Sequence, residues 1–280
     1  MVAGLLAAVC PTGHASAAPV RVVCAEHVWC AIAAEIGGAD VTTTSILTSP
    51  AVDPHDFAPS PGVARAFAAA DVIVLNAGGF DRWADGLVPE GAGVIRVADL
   101  PGMAHGETHL FYDPEAASAF GMAFARRLQD LRPADRDGIA LRARIFADQV
   151  ATVRTSIARA RPQTAGVAVA SLEPVGAPLL HALGFREVAA DYARAVMNGT
   201  EPPPVQAAAL EDEIASRTVR VLVMNAAFDD PTARRYADAA RTHGVAVVSL
   251  SEALPEGKDW TQWMKASIAA LQSAASAVVP

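Results

Sequence analysis

Apolar positions recur along this chain in two alternating rhythms. Short aliphatic or β-branched runs stand at Val20-Arg21-Val22-Val23, Val41 to Leu47, Asp71 to Leu75 and Val94 to Val97. Between them lie stretches whose apolar residues return every three or four positions. The first rhythm predicts strands and the second predicts amphipathic helices. The predicted helices of this first half cover Val28 to Ile36, Val63 to Ala70 and a short piece around Trp83. The first of them stops at Gly37-Gly38, a helix-terminating pair. Strand–helix alternation of this kind predicts a parallel sheet covered by helices.

Two helical stretches follow. Pro114 to Leu131 opens with proline in its first turn. Ala134 to Arg161 contains no Gly or Pro except Gly138 and is rich in Ala, Arg, Ile and Val at helical spacing. At 1.5 Å per residue it would run roughly 40 Å, longer than one ordinary domain requires. It reads as a rigid connector. Alternation then resumes, with strands at Val167 to Ser171, Val219 to Met224 and Val245 to Leu250. The accompanying helices are Pro178 to Leu183, Val205 to Ser216, Pro231 to His243 and Trp260 to Val278. No sequence repeat is visible, yet the halves share an architecture. The expectation is an α/β protein of two lobes, each a parallel sheet flanked by helices, joined by a long backbone helix. The lobes would occupy residues 18–131 and 162–280, with the connecting helix at 132–161 and a signal peptide at 1–17.

That leader rests on local chemistry. Met1 to Ala18 carry no Asp, Glu, Lys or Arg, Val2 to Cys10 form a short apolar core, and Ala15-Ser16-Ala17 has the small-x-small pattern of a secretory cleavage site. Cleavage near Ala17 would place the protein in the periplasm or otherwise outside the cytoplasm and would remove Cys10. Cys24 and Cys30 then remain, an even pair in an oxidising compartment, which points to a disulfide. Two buried thiols are the alternative.

Composition removes whole classes of function. The 280 residues carry 22 Lys+Arg against 30 Asp+Glu, a net charge of -8, which argues against nucleic-acid binding through a basic face. With 52% hydrophobic residues, disorder is excluded. Charges interrupt the alanine-rich stretches before any apolar run reaches the 18 or so residues needed to cross a bilayer.

The candidate chemistry sits just beyond strand ends, where open α/β sheets bind ligands. Asp53-Pro54-His55-Asp56-Phe57 puts a histidine between two carboxylates in a proline-constrained loop, which suits a metal ligand oriented by a neighbouring acid. His109-Leu110-Phe111-Tyr112-Asp113-Pro114 lies in the connection between the halves, with His105 four residues upstream. Glu173 follows the run Val167 to Ser171, and Glu252 follows Val245 to Leu250. Each taken singly is weak, because such residues are most often solvated turns or helix caps. Together, two imidazoles and two carboxylates can fill four positions on a divalent transition metal. Glu26 after the first strand is a candidate acceptor behind the ligands. Asn225 and Asp229 are alternatives for the fourth position.

In these segments the chain resembles the periplasmic metal-binding proteins of ABC importers, the class with a rigid helical backbone between two lobes. The resemblance covers nearly all of the mature chain. It is carried by Asp53 to Phe57, His109-x-x-x-Asp113-Pro114, Ala70 to Asn76 with Asp81-Arg82-Trp83, Glu173-Pro174-Val175, Asn198 to Pro202, and Ser251-Glu252 with Trp263-Met264. It implies one zinc or manganese ion, the transported ligand, held between the lobes by His55, His109, Glu173 and Glu252. Asp53, Asp113, Glu26 and Asn225 would stand behind these or substitute for them. It also implies delivery to a membrane permease, with a metal-donating chaperone as a further partner, and a monomer. The sequence departs from many zinc-specific members, which have a third histidine where Glu173 stands and a long His- and acid-rich loop before His109. Two oxygen donors shift preference toward harder ions such as manganese, although zinc binds the same set.

Two other functions compete. A secreted zinc-dependent hydrolase would need an open coordination position and a base, and the chain has no His-Glu-x-x-His helix and no Gly-x-Ser-x-Gly elbow. A receptor for a chelated metal or siderophore would need a wide cleft lined by arginines or aromatics.

Overall fold

The computed structural model describes residues 18–49, 52, 57–103, 106–227 and 230–277. The predicted leader, Asp53, His55, His105 and Asp229 lie outside the described residues. The first lobe contains β1 (Val20–Glu26), α1 (His27–Gly37), β2 (Val41–Leu47), α2 (Pro61–Ala69), β3 (Val72–Leu75) and β4 (Val94–Arg96). Its strands are all parallel, in the order β2-β1-β3-β4. Next come α3 (Pro114–Leu131) and α4 (Arg136–Thr164). The second lobe contains β5 (Ala168–Ser171), α5 (Ala177–Leu183), β6 (Arg186–Val188), α6 (Ala190–Met197), α7 (Pro204–Ala215), β7 (Val221–Asn225), α8 (Pro231–Thr242) and β8 (Ala246–Leu250), and α9 (Trp260–Ser276) closes the chain. Its strands are also all parallel, in the order β6-β5-β7-β8. Counted within each lobe the two orders are the same, although no sequence repeat announces it.

Period-two alternation decides which side each strand residue faces. Val20, Val22 and Cys24 of β1, with Val72 and Val74 of β3, enter one large core. Their neighbours Val23, Ala25, Ile73 and Leu75 enter a separate cluster on the outer face of the first lobe. The second lobe repeats the division. Val169, Val221 and Val223 belong to the large core, and Ala170 and Leu222 to an outer cluster. The large core therefore runs without a break from the inner face of one sheet to the inner face of the other.

Helix α4 is the strut of that core. Its buried residues Ile139, Phe146, Val150, Val153, Ile157 and Ala160 fall on one stripe, three, four or seven positions apart. Gly121 of α3 lets the two helices approach, because a Cβ there would meet Phe146 Cδ1 at 3.0 Å. Phe146 in turn lies against Trp260 of α9, 5.9 Å between ring centres. Trp29 from α1, Phe111 from the connection and Trp263 from α9 continue the aromatic seam.

Most predicted elements stand within two or three residues of their expected limits. The third crossover of the first lobe is a 3-10 turn, Arg82–Leu87, and not an α-helix. Two elements had no forecast. β6 is only Arg-Glu-Val, too short and too polar for a period to register. α6 starts after Ala189 in a left-handed conformation (φ 56°), a start without the usual capping residue. Cys24 at the end of β1 and Cys30 in the first turns of α1 form the expected disulfide, with Cα atoms 5.6 Å apart.

A continuous core makes the two lobes one cooperative unit. Phe146→Ala is expected to lower the unfolding free energy by about 3–5 kcal/mol. Urea unfolding followed by tryptophan fluorescence and by far-ultraviolet circular dichroism should give one coincident transition for both proteins. Two separated transitions would contradict the shared core.

Candidate metal centre

In each sheet the chain reverses its direction of strand addition at the first strand, between β1 and β3 and again between β5 and β7. Crevices for ligands open at the carboxyl ends of such strands. The two lobes place the same pair of residue types there. Glu26 is the last residue of β1 and Asn76 follows β3. Glu173 lies two residues past β5 and Asn225 ends β7. All four are buried.

The connection between the lobes supplies His109, wholly buried, at the head of a 3-10 turn Leu110–Tyr112. Its Nε2 lies 2.7 Å from Oε1 of Glu252, 143 residues away and just past β8. With the carboxylate ionised, Nε2 carries the hydrogen and donates it. Nδ1 then accepts from the Thr108 hydroxyl, 3.0 Å away. The rings of Phe80 and Phe111 meet the imidazole edge-on at 5.4 and 5.8 Å. Apolar walls strengthen the charge-assisted bond by excluding water.

The first lobe braces this histidine from behind. Asn76 Nδ2 donates to the carbonyl of Thr108 at 2.7 Å. The loop that follows turns through three left-handed residues, Ala77, Gly78 and Gly79. At Gly78 (φ 64°) a Cβ would sit 2.9 Å from the Glu107 carbonyl oxygen, so glycine is required both for the turn and for the approach. Ala77 accepts the strain that glycine would avoid, and Asp81 Oδ1 fixes it by accepting from the Ala77 N–H at 2.8 Å. Asn76 and Asp81 thus act on the site through backbone. The sequence signal for them was the Gly78-Gly79 pair, which follows a buried strand after two intervening residues.

In the second lobe Glu173 receives a hydrogen bond on Oε2 from Asn225 Nδ2 at 2.8 Å. The Asn225 side-chain oxygen accepts from the Ala227 N–H at 3.0 Å, which fixes the direction of the amide. Asn225 therefore orients Glu173. Asp113 caps α3, accepting from the Glu115 N–H at 2.8 Å, and burial pushes its carboxyl up. His27 contacts Ser45 through Nδ1 at 3.1 Å, and the largely exposed His181 pairs with Glu187. Among the described residues no group of three His, Cys, Asp or Glu is assembled to hold an ion. His109 and Glu252 are the part that the described residues bring together.

Glu26 and Glu252 line one small cavity of about 20 Å³, together with His27, Ser49 and Phe80. That is room for about one water-sized guest. Counted as carboxylates, both oxygens of Glu26 and Oδ2 of Asp81 are buried without a donor. Burial, and then the neighbouring Asp81, raise the Glu26 carboxyl well above its ordinary range. A proton on Glu26 answers the deficit, because it turns one acceptor into a donor toward Asp81.

Comparison with known proteins follows the same outline. Residues 22–274 match the profile of the family described as ZnuA, zinc-uptake complex component A, periplasmic. No curated protein matches the chain. The fold is similar to that of the periplasmic zinc-binding protein TroA of Treponema pallidum, at 16% identity, covering 92% of this chain and 100% of the other, with a TM-score of 0.77. It is similar to the laminin-binding protein Lmb of Streptococcus agalactiae at 20% identity, covering 91% and 99%, with a TM-score of 0.78. It is also similar to the SBP FpvC of Pseudomonas aeruginosa in complex with Mn2+, at 20% identity, covering 91% and 98%, with a TM-score of 0.74.

The raised Glu26 carboxyl has a measurable consequence. A carboxyl raised on folding contributes stability that is complete below its unfolded pKa and is lost as pH rises. Metal-free Glu26→Gln should unfold together with the parent near pH 4. It should melt higher at pH 8, by roughly 2–4 °C for each kcal/mol relieved. Thermal scans across that range check this, and a parallel shift at every pH would contradict it.

Proposed function

This chain belongs to the family of periplasmic zinc-uptake components, and from that premise we propose that it captures one divalent transition metal ion between its lobes. It is an extracytoplasmic receptor that delivers the ion to the permease of an ABC importer. The proposed ligands are His55, His109, Glu173 and Glu252. The observation that carries this reading is the buried pair of His109 and Glu252, drawn from opposite sides of the cleft and 2.7 Å apart. A buried, ionisable histidine–carboxylate pair joining distant segments at a crevice of the sheets marks a functional-site candidate.

The chemistry of loading follows from the hydrogen bonds. In the free protein the Nε2 hydrogen links His109 to Glu252. An ion bound at Nε2 displaces that hydrogen, and the imidazole then carries its hydrogen on Nδ1. Thr108 can accept it, because its hydroxyl can turn toward the sulfur of Met197, 3.6 Å away. A partner on the remote nitrogen fixes the ring and raises its basicity. Glu173 and Glu252 neutralise the cation, and Asn225 keeps Glu173 aimed. The set of two nitrogens and two oxygens accepts zinc or manganese. Four protein ligands leave no open position for an attacking water, which favours transport over catalysis.

The surrounding fold supports one mode of release. The core shared by both lobes opposes a wide hinge motion, so the ion leaves through small shifts of the ligand-bearing loops when the permease is docked. Working residues begin after cleavage near Ala17, with lobes at 18–131 and 162–280 around a connecting segment, 132–161, that holds most of α4. The protein works as a monomer and can take its ion from a metal-donating chaperone.

Competitive loading with zinc and manganese, followed by native mass spectrometry, should show one ion per chain. Alanine at His55, His109, Glu173 or Glu252 should each lower affinity about 100-fold or more, above the usual cost of an outer partner, without unfolding the protein. Affinity should also fall on acidification, as protons compete for the imidazoles. Metal-dependent thermal stabilisation that survives both His55→Ala and Glu173→Ala would overturn the ligand assignment.

A further inference from the structure

The 3-10 turn that begins at His109 ends at Tyr112, a tyrosine with no solvent exposure. Its hydroxyl donates to the carbonyl of Ser251 at 2.8 Å and accepts from the N–H of the same residue at 3.2 Å. Both backbone groups immediately before Glu252 are therefore held by one side chain from the inter-lobe connection. On the other flank, Ser251 Oγ donates to the Ala253 carbonyl at 2.8 Å and accepts from the Ala253 N–H at 3.0 Å. Glu252 sits between two fixed neighbours.

These contacts close a ring. The Tyr112 N–H donates to the His109 carbonyl at 2.9 Å, Tyr112 holds Ser251, and Glu252 returns to Nε2 of His109. The tyrosine ring cannot drift, because it lies 4.6 Å from Trp263 and 5.7 Å from Phe111, measured between ring centres. Trp260 Nε1 also donates to the Phe111 carbonyl at 2.8 Å, tying the same turn to α9. Burial pushes the tyrosine hydroxyl upward in pKa, so it keeps the hydrogen it donates.

We propose that Tyr112 is a positioning residue for metal capture, fixing the spacing between His109 and Glu252 before the ion arrives. The proposal rests on the reading of His109 and Glu252 as ligands. Its logic is preorganisation: a ligand whose backbone is already ordered loses less entropy when the ion binds. The hydroxyl is bonded to the Ser251 backbone and to neither proposed ligand side chain. Its effect must pass through Glu252.

A double-mutant cycle tests this. Zinc affinity is measured by competition with a chromophoric chelator for the parent, Tyr112→Phe, Glu252→Ala and the double variant. Tyr112→Phe keeps the ring and its packing and should weaken zinc binding about 10-fold, the lower end for outer partners of a ligand. In the Glu252→Ala background the same change should have no further effect. An equal loss in both backgrounds, or no loss in the parent background, would overturn the positioning role. Should Tyr112→Phe fail to fold by near-ultraviolet circular dichroism, Ser251→Ala loosens the other flank of Glu252 and should show the same dependence on Glu252. Unchanged affinity in Glu252→Ala alone would sink the ligand reading, whereas a loss there with none in Tyr112→Phe would sink only the role of the tyrosine.

Discussion

Everything at the site depends on one constraint, the continuity of the apolar core between the two sheets. Val22, Val72, Val169 and Val221 face the same interior although they come from different lobes. Helix α4 runs through that interior and α3 and α9 pack along it. A hinge between the lobes would have to expose this surface, at about 25 cal/mol for each Å² of apolar area opened. Opening even a few hundred Å² would cost several kcal/mol or more. The cleft is therefore set by packing, and the loops around it work against a fixed frame.

Within that frame the two lobes contribute by similar means. Each sheet sends a glutamate and an asparagine to its switch point, and in the second lobe the asparagine directly orients the glutamate. The first lobe uses its asparagine differently, to hold the backbone beside His109. Its glutamate is buried near Asp81, and burial with that neighbour raises its carboxyl. One architecture thus supports two chemistries, a poised carboxylate on one side and a braced imidazole on the other. The disulfide closes the short segment from Cys24 to Cys30, with Glu26 and His27 inside it, so the first-lobe wall of the cavity is held by a covalent link as well as by packing.

Much of the fold was legible in the sequence because its signals are local. Val-Ile-Val-Leu before Asn76, the Gly-Gly stop after α1 and the proline at the start of α3 each mark a boundary by steric or hydrogen-bonding necessity. β6 and α6 escaped because three strand residues carry no period and a left-handed alanine carries no capping signature. At the site, the sequence singled out His109, Glu173 and Glu252 as polar residues at strand exits or in the connection. It could not assign work to Tyr112 or Thr108. Their roles are contacts with a backbone carbonyl and an imidazole, and tyrosine within an apolar run reads as core. Asp113 shows the reverse. Its place beside Pro114 marks a helix cap as well as a family motif, and the cap is the contact that the structure displays.

The long-range character of the core also bears on how such a chain reaches its compartment. A chain threaded across a membrane from its N-terminus delivers β1 and α1 first. Trp29 of α1 needs Phe111 beside it, and the turn that holds Phe111 needs α9, near the end of the chain. The first lobe cannot complete its inner face until almost the whole sequence has emerged. Contacts of such wide separation fold slowly and leave apolar surface exposed meanwhile. The same packing that stiffens the finished receptor thus ties its first elements to its last helix.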